Sequence, residues 1–205
     1  MSKTVTLDSR RRGEPAWRIA ELYPEQGGWG EWEYLYLPSN RLVEYDDRFV
    51  KVLPMPTRTH QLIVYFLREV LHQFALANNL GEVLGGPFPI RLWKGKFREP
   101  DVMFMFAQHA DRVDERYWRG ADFVIEVVSG DPESRKRDLI EKRREYAKAR
   151  IREYWIVDPQ NQEITVLRLS LGKYVVHGKF ARGETATSHL LKSFEVAVDT
   201  VFSQR

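Results

Sequence analysis

Four charged side chains stand where the surrounding pattern calls for apolar ones, and their types suit metal-assisted or acid–base chemistry. In Ala121–Ser129, the run Phe123–Val128 has the β-branched and aromatic make-up of a strand buried on both faces, yet Glu126 lies in its middle. Burying an unpaired carboxylate costs several kcal/mol, on the order of a small domain's whole margin of stability. Glu126 therefore requires a compensating cation, metal or proton. Asp101 opens the next most apolar segment, Val102–Phe106, and Pro100 before it biases Glu99 to extended geometry. If the two segments are adjacent strands, Asp101 and Glu126 come within a few ångströms, and both stay ionised only with a cation between them. An all-oxygen pair of this kind suits Mg²⁺ or Mn²⁺.

Lys142 is the third residue. On a helix it falls near Leu139 and Tyr146, at the edge of the apolar stripe, so its stem can follow the core while its amine reaches the sheet. Glu44, inside a short strand between Val43 and Tyr45, is the fourth. Each has a plainer reading: Asp101 as a strand-start residue, Lys142 as a surface lysine, Glu44 as a solvent face, and the acids as partners of arginines such as Arg98 or Arg137. His60, at the start of a helix, either approaches the same site or packs there. The other histidines show no ligand spacing.

The elements that must position these residues follow from periodicity and turn chemistry. A short helix is expected around Gly30–Leu37, and a hairpin over Arg41–Leu53 turning at Asp46-Asp47-Arg48. After Pro54-Met55-Pro56, Thr57 or Thr59 caps a helix with apolar residues at 62, 63, 66, 67, 70, 71, 74 and 75, ending near Asn78-Asn79 and Gly81. Strands are expected within Glu82–Trp93, bent at Gly85-Gly86-Pro87, and at Val102–Phe106. A short helix is predicted over Asp111–Trp118. Asp131 as N-cap and Pro132 at the first helical position open a helix running to about Arg150. Arg152–Val157 forms a strand stopped by Asp158-Pro159. A hairpin through Leu171-Gly172 follows, and a closing strand and helix end the chain. The order implies a mixed α/β sheet flanked by helices, with N-terminal and C-terminal hairpins. Residues 1–30 read as an arm and short extension, and 31–205 as one domain.

With 205 residues, 43% of them apolar and 30% charged, and with 6 Trp, 9 Tyr and 11 Phe, the chain can build one sizeable core. Its net charge of +3 does not by itself imply nucleic acid. The clusters Arg10–Arg12, Lys94/Lys96/Arg98, Arg135–Arg137 and Lys142–Arg144 are either phosphate contacts or solvated faces. Without cysteine, disulfides and thiolate metal sites are excluded. No signal peptide or membrane span is recognisable, so a cytoplasmic protein away from membranes is expected.

Pro100-Asp101 followed by Glu126-Val127-Val128 resembles the PD-(D/E)XK nuclease superfamily. The segment Ala121–Ser129, Arg137-Asp138 with Lys142 and Tyr146, and the run Arg152–Pro159 resemble its Uma-two branch of restriction endonuclease-like proteins. So do Arg41–Glu44, Pro54-Met55-Pro56 and His60 upstream, and the likeness spans about residues 30–202. The resemblance implies a restriction-endonuclease-like fold in which Asp101, Glu126 and the carbonyl of Val127 hold Mg²⁺ or Mn²⁺. It implies a further acidic residue, Glu44. The superfamily's lysine normally stands two residues after the second acid, which here is Val128. In this branch a lysine on the next helix, Lys142, takes its place. Arg48 stands where the branch has a hairpin glycine.

The activity so implied is metal-dependent hydrolysis of DNA phosphodiester bonds, with Lys142 orienting water or stabilising the charge developing on phosphorus. Cutting both strands with one site per chain favours a homodimer. The competing reading is a nucleic-acid-binding or partner-binding protein that keeps the fold without cleavage.

Overall fold

A computed structural model describes residues 23–38 and 42–204. The described elements are α1 (Glu31–Leu35), β1 (Val43–Asp46), β2 (Phe49–Val52), α2 (Arg58–Ala77), β3 (Gly81–Gly85), β4 (Ile90–Trp93), β5 (Lys96–Arg98) and β6 (Val102–Phe106). After a 3₁₀ helix (Ala107–Arg112) come β7 (Phe123–Val127), α3 (Pro132–Lys136), a π turn (Arg137–Glu141) and α4 (Lys142–Lys148). The chain closes with β8 (Glu153–Asp158), β9 (Glu163–Ser170), β10 (Lys173–Phe180), β11 (Thr185–Thr187), β12 (Glu195–Ala197) and α5 (Val198–Phe202).

The central sheet has the order β10-β9-β8-β7-β6-β3. Only β7 and β8 run parallel; the other pairs are antiparallel. A parallel pair needs a crossover, and here α3, the π turn and α4 supply it. Strands β6, β7 and β8 are buried along almost their whole length, which is why they read as near-continuous apolar runs. Val102, Phe104, Phe123, Ile125 and Val127 face one core with α2, while Met103, Val124 and Val128 face another with Tyr146 and Ala147 of α4. A smaller sheet, β2-β1-β5-β4, packs against Trp29 and Tyr34. Among the described residues, no helix is long and apolar enough to cross a membrane.

Helix α2 starts where Thr57 accepts from the amide of His60 at 3.2 Å. Its buried stripe is His60, Ile63, Leu67, Leu71 and Ala75, and each large aliphatic there contributes about 1.5–3 kcal/mol on burial. His60 is the first residue of that stripe, at the end nearest the sheet's carboxylates. Asp131 caps α3 by accepting from the Ser134 amide at 2.9 Å, with Pro132 in the first turn.

Two expectations change. No helix forms over Asp111–Trp118: the helical segment is Ala107–Arg112, and Val113 makes an isolated antiparallel bridge to Trp118. Trp118 is fully buried, and its backbone pairs with Pro89 and Arg91, so tertiary packing outweighs local helix propensity. The helix after Asp131 is also not uniformly α, because residues 137–141 take one π turn. The β1–β2 hairpin turns on Asp47 and Arg48, both with positive φ (41° and 75°). That is the pattern of a two-residue hairpin turn, with an arginine where glycine fits best. The Arg48 carbonyl is tied down by the amides of Gly27 and Trp29 at 3.0 and 3.3 Å. Of the expected arm, residues 1–22 lie outside the described residues, as does Arg41. Residues 23–30 pack on the domain through Trp29 and its stack with Tyr23.

Candidate active site

Asp101 stands one residue before β6. The register pairs Val102 with Ile125, so one step further along sets Asp101 opposite Glu126. Directly opposed Cβ atoms on one face are ~5 Å apart. Both side chains line one cavity of about 30 Å³, together with His60, Val127, Asp138 and Lys142. That space holds a single ion or about one water.

Asp101 Oδ2 accepts from the Val127 amide at 2.7 Å and lies 3.3 Å from His60 Nε2. In an extended strand a residue's amide and carbonyl lie along the same edge, so the Val127 carbonyl also faces the β6 side. Glu126, 3% exposed, accepts from the Tyr146 hydroxyl on Oε1 at 2.5 Å and meets Lys142 Nζ on Oε2 at 2.7 Å. Lys142 Nζ is 3.2 Å from Asp138 and 3.7 Å from Glu44 Oε1. That Glu44 oxygen accepts no hydrogen bond among the described residues.

Glu44 lies across from Arg98, one step along the β1–β5 register from the Tyr45–Phe97 pair. Arg98 bonds Glu44 through Nη1 and grips Glu145 of α4 with Nε and Nη2 at 2.8 and 2.9 Å. The contacts of Glu44 are thus Arg98 and Lys142.

The Lys142 ammonium meets Glu126, Asp138 and Glu44, and burial is the main influence on the protonation of the first two. Burial pushes the Glu126 carboxyl up to about 8, against the downward pull of Lys142 and helped by the charges of Asp101 and Asp138. Asp138 is also raised by burial. Burial opposes the Lys142 ammonium too, but Asp138, Glu126 and Glu44 outweigh it and hold the amine charged well above the usual lysine range. Glu99 at the cavity wall is pushed up to about 7 by burial, although the Val43 amide and Tyr34 hydroxyl donate to it at 3.1 and 3.3 Å. His60 is raised, because Asp101's bond and charge overcome its burial.

These residues fit a divalent cation in kind. Among the described residues no three His, Asp or Glu side chains are grouped to hold a metal. Two carboxylates and a carbonyl are nevertheless a common protein share for Mg²⁺, which keeps several waters. The carboxyls are raised first by burial, and a cation bound between Asp101 and Glu126 would favour their ionised forms.

The family model described as "Uma2: Putative restriction endonuclease" matches residues 31–199. The chain belongs to the Uma2 family. No curated protein matches it significantly. The crystal structure of a putative nuclease belonging to DUF820 from Anabaena variabilis has the same fold, with a TM-score of 0.65 at 16% identity. The likeness covers 84% of this chain and 96% of that one. The fold of this Uma2 protein is therefore the mixed α/β, restriction-endonuclease-like one, and family and fold together support a nuclease.

Within the Uma2 site, Asp101, Glu126, Lys142 and His60 come together. The resemblance brought in Asp138 only beside Arg137, and Arg98 appeared only as an alternative partner for the acids. Asp138 does carry a signal, since it stands four residues before Lys142 and so shares its helix face. Tyr146, four residues after Lys142, shares that face too but reads as core, and Glu99 reads only as a charge before Pro100.

The carboxyl shifts predict a pH dependence of folding. Unfolded, Glu126 and Glu99 lose their protons near 4.5; folded, they hold them to about 8 and 7. The folded state thus binds more protons between those limits, and stability falls as pH rises through them. His60 acts in the same direction. The lowered acids Asp131, Glu145 and Asp158 gain their contribution at lower pH and do not oppose this. In chelator, Tm should drop by several degrees from pH 5.5 to 8.5, as read by calorimetry. A flat or rising profile would contradict the buried, proton-holding carboxyls.

Proposed function

We propose that the protein is a Mg²⁺- or Mn²⁺-dependent endonuclease that hydrolyses DNA phosphodiester bonds. The observation that carries this reading is the convergence of Asp101, Glu126 and Lys142 on one ion-sized cavity. Asp101, Glu126 and the Val127 carbonyl would hold the cation. When bound, it lowers the pKa of a coordinated water and neutralises phosphate charge. Lys142, held charged and fixed by Glu126 and Asp138, donates toward the attacking water or the phosphate oxygens. Tyr146 locks the rotamer of Glu126, and His60 steadies Asp101.

A second reading, a binding protein that no longer cleaves, draws on a specific observation: both Glu126 oxygens are engaged by Lys142 and Tyr146. Under the nuclease reading Lys142 yields one oxygen to the cation. Purified protein should nick supercoiled plasmid in Mg²⁺ or Mn²⁺ and leave it intact in chelator. No nicking in either would leave the binding reading, and equal nicking in both would reject the metal dependence. Cleavage of both strands would further call for a homodimer, which sedimentation in the presence of DNA would show.

A further inference from the structure

Beside the cation cavity lies a second, larger hollow of about 350 Å³, walled by Pro54, Pro56, Pro87, Gln61, Val64 and Gly86 among others. Asp101, Leu42, Leu53, Pro54 and Pro56 line both spaces, so the two are continuous. Its size is at the lower end of ligand sites, roughly 300–1,000 Å³. Three proline rings and aliphatic side chains make its walls, with one carboxamide, Gln61, at an exposed position on α2.

We infer that this hollow receives a single unstacked nucleobase next to the scissile phosphate, and that the substrate therefore carries an unpaired nucleotide there. The inference rests on the nuclease reading above. A phosphate held at Asp101 and Glu126 places its own nucleoside within reach of the adjoining space. Among the described residues its walls are mostly apolar, with the Asp101 carboxylate where the two spaces join and no basic side chain lining it. That suits the flat face of a base and not a second phosphate. Proline walls are rigid, so little ordering is required when a base packs on them. Gln61 supplies both a donor and an acceptor to a base edge.

The helix face that continues from Gln61 and Val64 carries Tyr65 and Arg68, by i, i+4 and i+7 spacing. Tyr65 is 60% exposed, and the Arg68 guanidinium lies 5.6 Å from its ring. The Arg68 stem lies against Gly85, next to the hollow's Gly86 wall. Arg68 is thus placed to meet the neighbouring phosphate while Tyr65 offers a stacking surface for the next base. In a matched duplex every base is stacked inside the helix and must be extruded at a cost that is least when it is already unpaired.

The test compares matched duplex DNA with the same duplex carrying one unpaired nucleotide, cleaved in Mn²⁺. The unpaired substrate should be cut at least ten times faster, and Gln61→Trp, which fills the mouth of the hollow from an exposed helix position, should bring that ratio close to one. In parallel, the Glu126→Gln protein is titrated with an oligonucleotide holding 2-aminopurine at the unpaired position, and its fluorescence should rise as the base leaves its stack. Cleavage with equal rates on both substrates and no fluorescence change would overturn the inference and leave the nuclease reading standing. If nothing is cut, the fluorescence titration alone decides the hollow: a saturable rise that excess unlabelled unpaired strand reverses supports it, and no rise rejects it.

Discussion

Glu126→Gln and Asp101→Asn should each lower metal-dependent nicking at least ~100-fold while leaving far-ultraviolet circular dichroism unchanged. Even residues that only orient metal ligands change affinity or activity by about 10–100-fold, and among the described residues these two carboxylates stand opposite each other at the cavity. Both substitutions are close to isosteric. Glu126→Gln keeps an acceptor for the Tyr146 hydroxyl that now bonds Oε1 at 2.5 Å. It also removes a carboxyl that burial holds up to about 8, and its amide nitrogen then meets Lys142 in place of Oε2, so the melting temperature in chelator is compared with the parent's beside the activity. The readout that separates metal binding from folding is the melting temperature. Mn²⁺ should raise it in the parent protein, as any ligand of the folded state does, and should not in either variant. The rise should be larger at pH 8.5 than at 6.5, because the cation must displace the carboxyl proton. A Mn²⁺-induced rise that survives in Glu126→Gln would remove this carboxylate from the metal site.

Lys142→Met should have the largest effect on stability, about 3–5 kcal/mol, since removing one partner of a buried ion pair strands the others. At about 2–4 °C per kcal/mol for a chain of this length, the melting temperature falls by roughly 6–20 °C. Here the stranded groups are Glu126 at 2.7 Å and Asp138 at 3.2 Å from the amine, with Glu44 beyond. The penalty should shrink as pH falls below about 8, where Glu126 takes up its proton. Adding Asp138→Asn should recover part of the loss, because neighbours in one network are not additive. If Lys142→Met melts like the parent at pH 8, the amine is not the shared counter-ion of this cluster.

What could be read from the chain depended on contrast. Glu126 was visible because a carboxylate interrupts an apolar strand, and Asp101 because Pro100 and the next strand frame it. Helix α2 and the Asp131-Pro132 start of α3 followed from spacing and capping alone. The partners of the acids were harder to see. Arg98 lies in a basic segment, yet it is buried between Glu44 and Glu145 because two strands and α4 converge there. Asp138 looks like one more charge on a highly charged helix, and only the packing of that helix over β7 buries it. At Trp118 the contrast misleads: the pattern suits a helix, but the buried indole and the bridges to Ile90 and Val113 hold that segment extended.

The π turn at Arg137–Glu141 has a wider meaning for how such a site can change over time. Each residue in a helix advances it by about 100°, and a π turn holds one residue more than an α turn. Losing one residue there would therefore heal the helix with Lys142 still on the side of Glu126, whereas losing one elsewhere between Asp131 and Lys142 would swing the amine away. A strand-borne lysine two residues after the acid tolerates no such phase error, because its position is set by the sheet. Here that strand position is Val128, buried in the core. With the ammonium on the crossover helix, the position after Val127 is apolar and packs in the core, and the site depends on the winding of that helix. Insertions and deletions between Asp131 and Tyr146 are therefore the changes by which a lineage of this fold would most readily lose its chemistry while keeping its shape.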